Sequence, residues 1–107
     1  MAAIDRKAEN VRILDLSHVS GFTDFFVICS GRSDRQVQAI SDSVETHIRE
    51  SKAHPLSTAG YEEGRWVVVD LGDVVVHVFL DEIRDYYDLE SLWSDAKLVS
   101  IPAEFYT

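Results

Sequence analysis

The sequence predicts a single-domain α/β (α+β) fold: a mixed five-stranded sheet with helices packed mainly on one face. Three observations predict it. Phe25-Phe26-Val27-Ile28-Cys29 is an unbroken apolar run rich in β-formers, as a central strand covered on both faces requires. Val37, Ile40, Val44 and Ile48 recur at spacings of three, four and four, one face of an α-helix. From Leu56 the apolar period becomes that of a strand, and two valine-rich runs flank Leu71-Gly72 as a hairpin.

The elements follow in order. Ala2–Asn10 is polar and reads as the tail of a short N-terminal helix. Val11–Leu16, alternating around Ile13 and Leu14, is the first strand, and Ser17–Asp24 with Gly21 turns into the second at Phe25. Ser30-Gly31-Arg32-Ser33 ends that strand, and Ser33 with Gln36 makes a capping box that opens the helix. Pro55 stops the helix near Lys52–His54, since its ring cannot continue one. A weak strand runs from Leu56 to about Tyr61, and Glu62-Glu63-Gly64 turns into Arg65–Asp70. After Leu71-Gly72, Asp73–Leu80 completes the hairpin. Asp81 is placed to cap a last helix bearing Ile83, Tyr86, Tyr87, Leu89, Leu92 and Trp93, and residues 97–107 read as a loosely held tail. With no repeats, linkers or low-complexity tracts, residues 1–107 are expected to form one domain.

Composition narrows the function classes. A chain of 107 residues, 46% apolar, can bury roughly 65% of its unfolded surface without staples. The single Cys29 excludes an internal disulfide or a cysteine-based zinc knuckle, and fits a reducing compartment. Ten Lys and Arg against nineteen Asp and Glu give a net charge of −9, which disfavours binding to free DNA or RNA. No stretch approaches the ~20 apolar residues of a membrane span. Met1–Asn10 lacks the apolar segment of a signal peptide. The expectation is a soluble cytoplasmic domain with no membrane contact.

The hairpin carries most of the functional information. With the turn centred on Leu71-Gly72, Asp70 faces Asp73, Val68 faces Val75 and Trp66 faces His77. Strand alternation then puts Trp66, Val68, Asp70, Val75, His77 and Phe79 on one face. Val67, Val69, Val74, Val76 and Val78 form the other, a uniform surface suited to helix packing. The mixed face has the Trp anchor and charged edge of a protein-binding patch. The C-terminal Tyr86/Tyr87/Trp93 segment covering Trp66 and Phe79 within the chain is the alternative, and both stay open on spacing alone.

Catalytic and metal constellations are weaker. His77 beside Trp66 suits a packing residue with a satisfied ring nitrogen better than a general base or ligand. Asp70 and Asp73 suit turn chemistry better than a cation site, so no metal is expected. His18, His47 and His54 have no ligand spacing. Ser30-Gly31-Arg32-Ser33 could cradle a phosphate but lacks the glycine-lysine and dinucleotide patterns, and a plain strand-to-helix turn fits it better. Cys29 reads as core. No nucleophile triad is recognisable, and no catalytic residue or cofactor is expected.

These residues resemble the ribosomal silencing factor (RsfS, or Iojap) family. The resemblance rests on Thr23–Gly31 and on Ser33-Asp34-Arg35-Gln36-Val37. It continues through Gly60–Asp73, Val76-His77-Val78-Phe79 and Tyr86-Tyr87-Asp88-Leu89-Glu90-Ser91-Leu92-Trp93. It spans about residues 7–95, and the family usually begins with a longer helix than Ala2–Asn10. The resemblance implies a nucleotidyltransferase-like fold without that activity. It implies docking on the large ribosomal subunit, through its fourteenth large-subunit protein, at the face where the small subunit joins. Translation would then be repressed sterically when nutrients are short. Carried onto this chain, the implied partner-binding residues are Trp66, Val68, Asp70, His77, Tyr86, Tyr87 and Leu92. The rival functions are a large-subunit assembly factor using the same site and a nucleotidyltransferase, whose paired-carboxylate spacing after the Gly-Ser turn is missing here. An exposed aromatic patch is also a candidate homodimer contact.

Overall fold

The apolar run at residues 25–29 occupies the interior of the sheet, paired on both sides. In the computed structural model, which describes residues 9–17, 23–51, 55–92 and 97–99, six strands and three helices are formed. The strands are β1 (Glu9–Asp15), β2 (Phe25–Gly31), β3 (Ser57–Ala59), β4 (Trp66–Asp70), β5 (Val74–Leu80) and β6 (Lys97–Val99). The helices are α1 (Asp34–Glu50), α2 (Asp81–Tyr87) and α3 (Leu89–Leu92). The sheet order is β3-β4-β5-β2-β1-β6. The β2–β5 pair is parallel and every other pair is antiparallel, so the sheet is mixed, as the sequence predicts.

The valine face packs on α1. Val67, Val69, Val76 and Val78 join Val37, Ile40 and Val44 of α1, with Val11 and Cys29, in one buried cluster. The opposite face holds a second cluster of Leu14, Leu16, Phe26, Ile28, Val75 and Phe79. Trp66, Val68, Ile83 and Leu89 pack against it, so the two short helices add their apolar residues to this side. The long helix thus covers one face and the C-terminal turns lean over the other.

The start of α1 uses the expected cap. Ser33 Oγ accepts the Gln36 N–H at 3.1 Å. The return arm lands one residue earlier than a standard box, with Gln36 Oε1 accepting the Arg32 N–H at 2.7 Å. Asp81 is not a cap: Leu80 holds the N-cap position without a side-chain bond, and Asp81 is the first helical residue.

Three further details differ from expectation. Glu9 and Asn10 belong to β1, whose register shifts between Glu9 and Arg12; the rest of the expected N-terminal helix lies outside the described residues. Lys97–Val99, at the start of the expected tail, adds an edge strand against Ile13–Asp15. The hairpin turn centres one residue later, on Gly72-Asp73, pairing Asp70 with Val75, Val68 with His77 and Trp66 with Phe79. The cause is local. Leu71 N–H donates to the Val74 carbonyl at 2.8 Å, and Gly72 supplies the positive φ of 92° that the first turn position takes. The slip is two residues along the partner strand, an even number, so every side chain stays on its predicted face.

Candidate functional site

Exposure on the mixed face falls from the β4 side toward the sheet centre. Trp66, Val68 and Asp70 on β4 are half-buried. On β5, which is flanked by β2 and β4, His77 is 6% exposed and Phe79 fully buried. Tyr86 and Tyr87 at the end of α2 are 80% and 53% exposed. The rings form a stepped array. Trp66 stacks on Phe79 with centroids 4.8 Å apart, and the Tyr87 ring lies 5.2 Å from Trp66 in a tilted contact. Tyr86 meets Tyr87 edge-on at 5.1 Å. Burial and exposure therefore share this face: Phe79 is core, Trp66 is the half-covered step, and the tyrosines are open.

Beside the array is an open cleft of about 520 Å³ lined by Glu63, Arg65, Trp66, Ile83, Tyr86 and Tyr87. The sequence pattern does not reveal Glu63, Arg65 and Ile83 as cleft residues, because their meeting depends on α2 folding back over β4.

His77, expected among the partner-binding residues, is buried in this structure. Its Nδ1 accepts the Trp66 indole N–H at 3.1 Å, and the Phe26 ring meets it edge-on at 4.6 Å. Its Nε2 is buried with no hydrogen-bond partner, so only one ring nitrogen is satisfied. Burial lowers the ring's pKa from 6.5 to about 4, which keeps it neutral at neutral pH. Asp70 Oδ1 accepts the Gly72 N–H at 2.9 Å, a turn role. Leu92 closes α3; the contact expected of its side chain, and of Trp93, falls outside what is described.

The strand-to-helix turn at Ser30–Ser33 is occupied by internal bonds. Ser33 Oγ and the Arg32 N–H serve the α1 cap, and Ser30 Oγ accepts from buried Arg84 at 3.1 Å. Arg84 also donates to the Asn10 carbonyl at 2.7 Å, tying α2 to β1, a role the sequence did not reveal. A Cβ on Gly31 would meet Val37 at 3.2 Å, so the turn is packed against its own helix. Cys29 is fully buried, and burial pushes its thiol up to about 12. Among the described residues no group of three or more His, Cys, Asp or Glu is placed to hold a metal ion. No helix among them is long and apolar enough to cross a membrane.

The family model described as "Ribosomal silencing factor during starvation" matches residues 1–105. A ribosomal silencing factor of Bacillus subtilis is 46% identical over 100 residues, covering 94% of this chain and 85% of the relative. A crystal structure from Bacillus halodurans superposes with a TM-score of 0.84 at 45% identity, covering 94% of this chain and 90% of the other. One from Chromobacterium violaceum gives 0.85 at 39% identity, covering 94% and 83%.

Proposed function

This chain belongs to the ribosomal silencing factor family, and from that premise we propose that it silences translation by docking on the large ribosomal subunit. It binds there through the fourteenth large-subunit protein and sterically blocks joining of the small subunit. The observation that carries this is the stepped array of half-buried Trp66 and exposed Tyr87 and Tyr86 beside an open cleft. Covering the remaining indole surface would contribute up to about 2–3 kcal/mol.

Charge supports the choice of partner. A domain of net charge −9 is repelled by bare RNA but attracted to a basic protein. Half-buried Asp70, beside Trp66 and Val68 on the same strand face, is the acceptor proposed for a basic partner side chain. A steric block needs no catalytic group, so the function is regulatory rather than enzymatic.

Co-sedimentation with isolated large subunits, with small subunits as control, tests this. Selective pelleting with large subunits, lost in Trp66→Ala, is expected, together with inhibition of subunit joining. Pelleting without inhibition would point to an assembly factor at the same site. A second copy of the chain is the competing occupant of the patch, and a solution mass that rises with concentration would reveal it.

A further inference from the structure

We infer that His77 is a positioning residue, which sets the docking orientation of Trp66 from inside the sheet without touching the partner. The inference rests on the docking role of Trp66 proposed above.

Trp66 pairs with Phe79 and His77 with Val68, so Trp66 and His77 are diagonal neighbours on one face. Stacking on Phe79 holds the plane of the indole but does not choose which edge turns inward. The bond from Trp66 Nε1 to His77 Nδ1 chooses it. Nδ1 can accept only when it carries no proton, so the neutral ring holds its proton on Nε2. That nitrogen is buried and unpartnered, on a ring whose aromatic neighbours are Phe26, Trp66 and Phe79. A buried donor without an acceptor is a cost to the fold that an apolar side chain would not incur. Histidine at this position is therefore explained by what Nδ1 does for Trp66, not by packing. Burial keeps the ring neutral at neutral pH, as the acceptor role requires.

The test compares wild type with His77→Leu, His77→Gln, Trp66→Phe, Trp66→Ala and the Trp66→Phe/His77→Leu pair, read by large-subunit co-sedimentation and by the Trp66 indole N–H NMR signal. His77→Leu is expected to fold, to shift that signal and hasten its exchange, and to weaken binding about tenfold. His77→Gln keeps a carbonyl acceptor and should hold most of the affinity. With Phe at 66 there is no indole N–H to orient, so His77→Leu should cost nothing further. If leucine fails to fold, His77→Phe repeats the test with a ring but no acceptor.

Binding by His77→Leu or His77→Phe within about twofold of wild type, while Trp66→Ala loses it, overturns the inference and leaves the docking role standing. An equal loss from His77→Leu on the Trp66→Phe background also overturns it. Wild-type pelleting by Trp66→Ala removes the docking role, and the inference with it.

Discussion

The indole of Trp66 lies over the ring of Phe79 with planes 25° from parallel, joining a half-buried side chain to a fully buried one. The two residues should separate stability from binding. Phe79→Ala is expected to destabilise the fold by about 3–5 kcal/mol, measured by urea denaturation, since it empties a core position. Trp66→Ala should cost less stability but at least about 2 kcal/mol of large-subunit affinity, measured by co-sedimentation. Equal effects of both on folding and binding would contradict the division.

His77 gives a stability–pH prediction of definite sign. Its folded pKa is about 4 against 6.5 for the free side chain, so the unfolded chain takes up this proton first. The contribution is complete above about pH 6.5 and is lost as pH falls toward 4. At 1.36 kcal/mol per pKa unit the loss is about 3 kcal/mol. His77→Leu removes it, so the stability difference between wild type and variant should move in the variant's favour from pH 7 to 4.5. Parallel denaturation midpoints across that range would count against the assignment.

Gly60 stands where β3 hands over to the turn before β4, with φ of 83°. A Cβ there would fall 2.1 Å from the Trp66 carbonyl oxygen, a backbone atom that cannot step aside cheaply. Gly60→Ala should lower stability by more than about 1 kcal/mol and disturb the strand that carries Trp66. Thermal melting and co-sedimentation should fall together.

Cys29 should be inert in the native protein. Its thiol is fully buried and its pKa raised to about 12 by that burial, with Arg84 opposing only in part. A thiol reagent at pH 8 should label it at the rate of unfolding, and added urea should accelerate labelling in step with loss of structure. Rapid native labelling would refute the placement.

The faces of the hairpin were legible in the sequence because alternation survives any even slip. Moving the turn to Gly72-Asp73 changed every partner yet left Trp66, His77 and Phe79 on one side. How deeply each lies was not legible. Alternation assigns a side chain to a face but not a strand to its place across the sheet. His77 is buried because β5 lies between β2 and β4, and Trp66 stays half-open because only β3 lies beyond β4. The short β6 carries no periodic signal in its three residues and is defined only by pairing with β1. The cleft depended on tertiary folding as well. Asp88, at φ 45°, ends α2 in the left-handed region, and Leu89 then packs against the mixed-face cluster.

The parallel ladder at the sheet centre pairs Phe25 with Val74, residues 49 positions apart (74 − 25), with all of α1 and the β3–β4 segment between them. The hairpin can close locally, but β2 gains its second neighbour only after β5 has been made. A chain cut short before β5 would keep the apolar strand Phe25–Cys29 with one edge unpaired, open to pairing between molecules. Truncation should therefore yield aggregates rather than a smaller soluble domain. The same β5 that backs the indole of Trp66 also seals the open edge of that apolar strand.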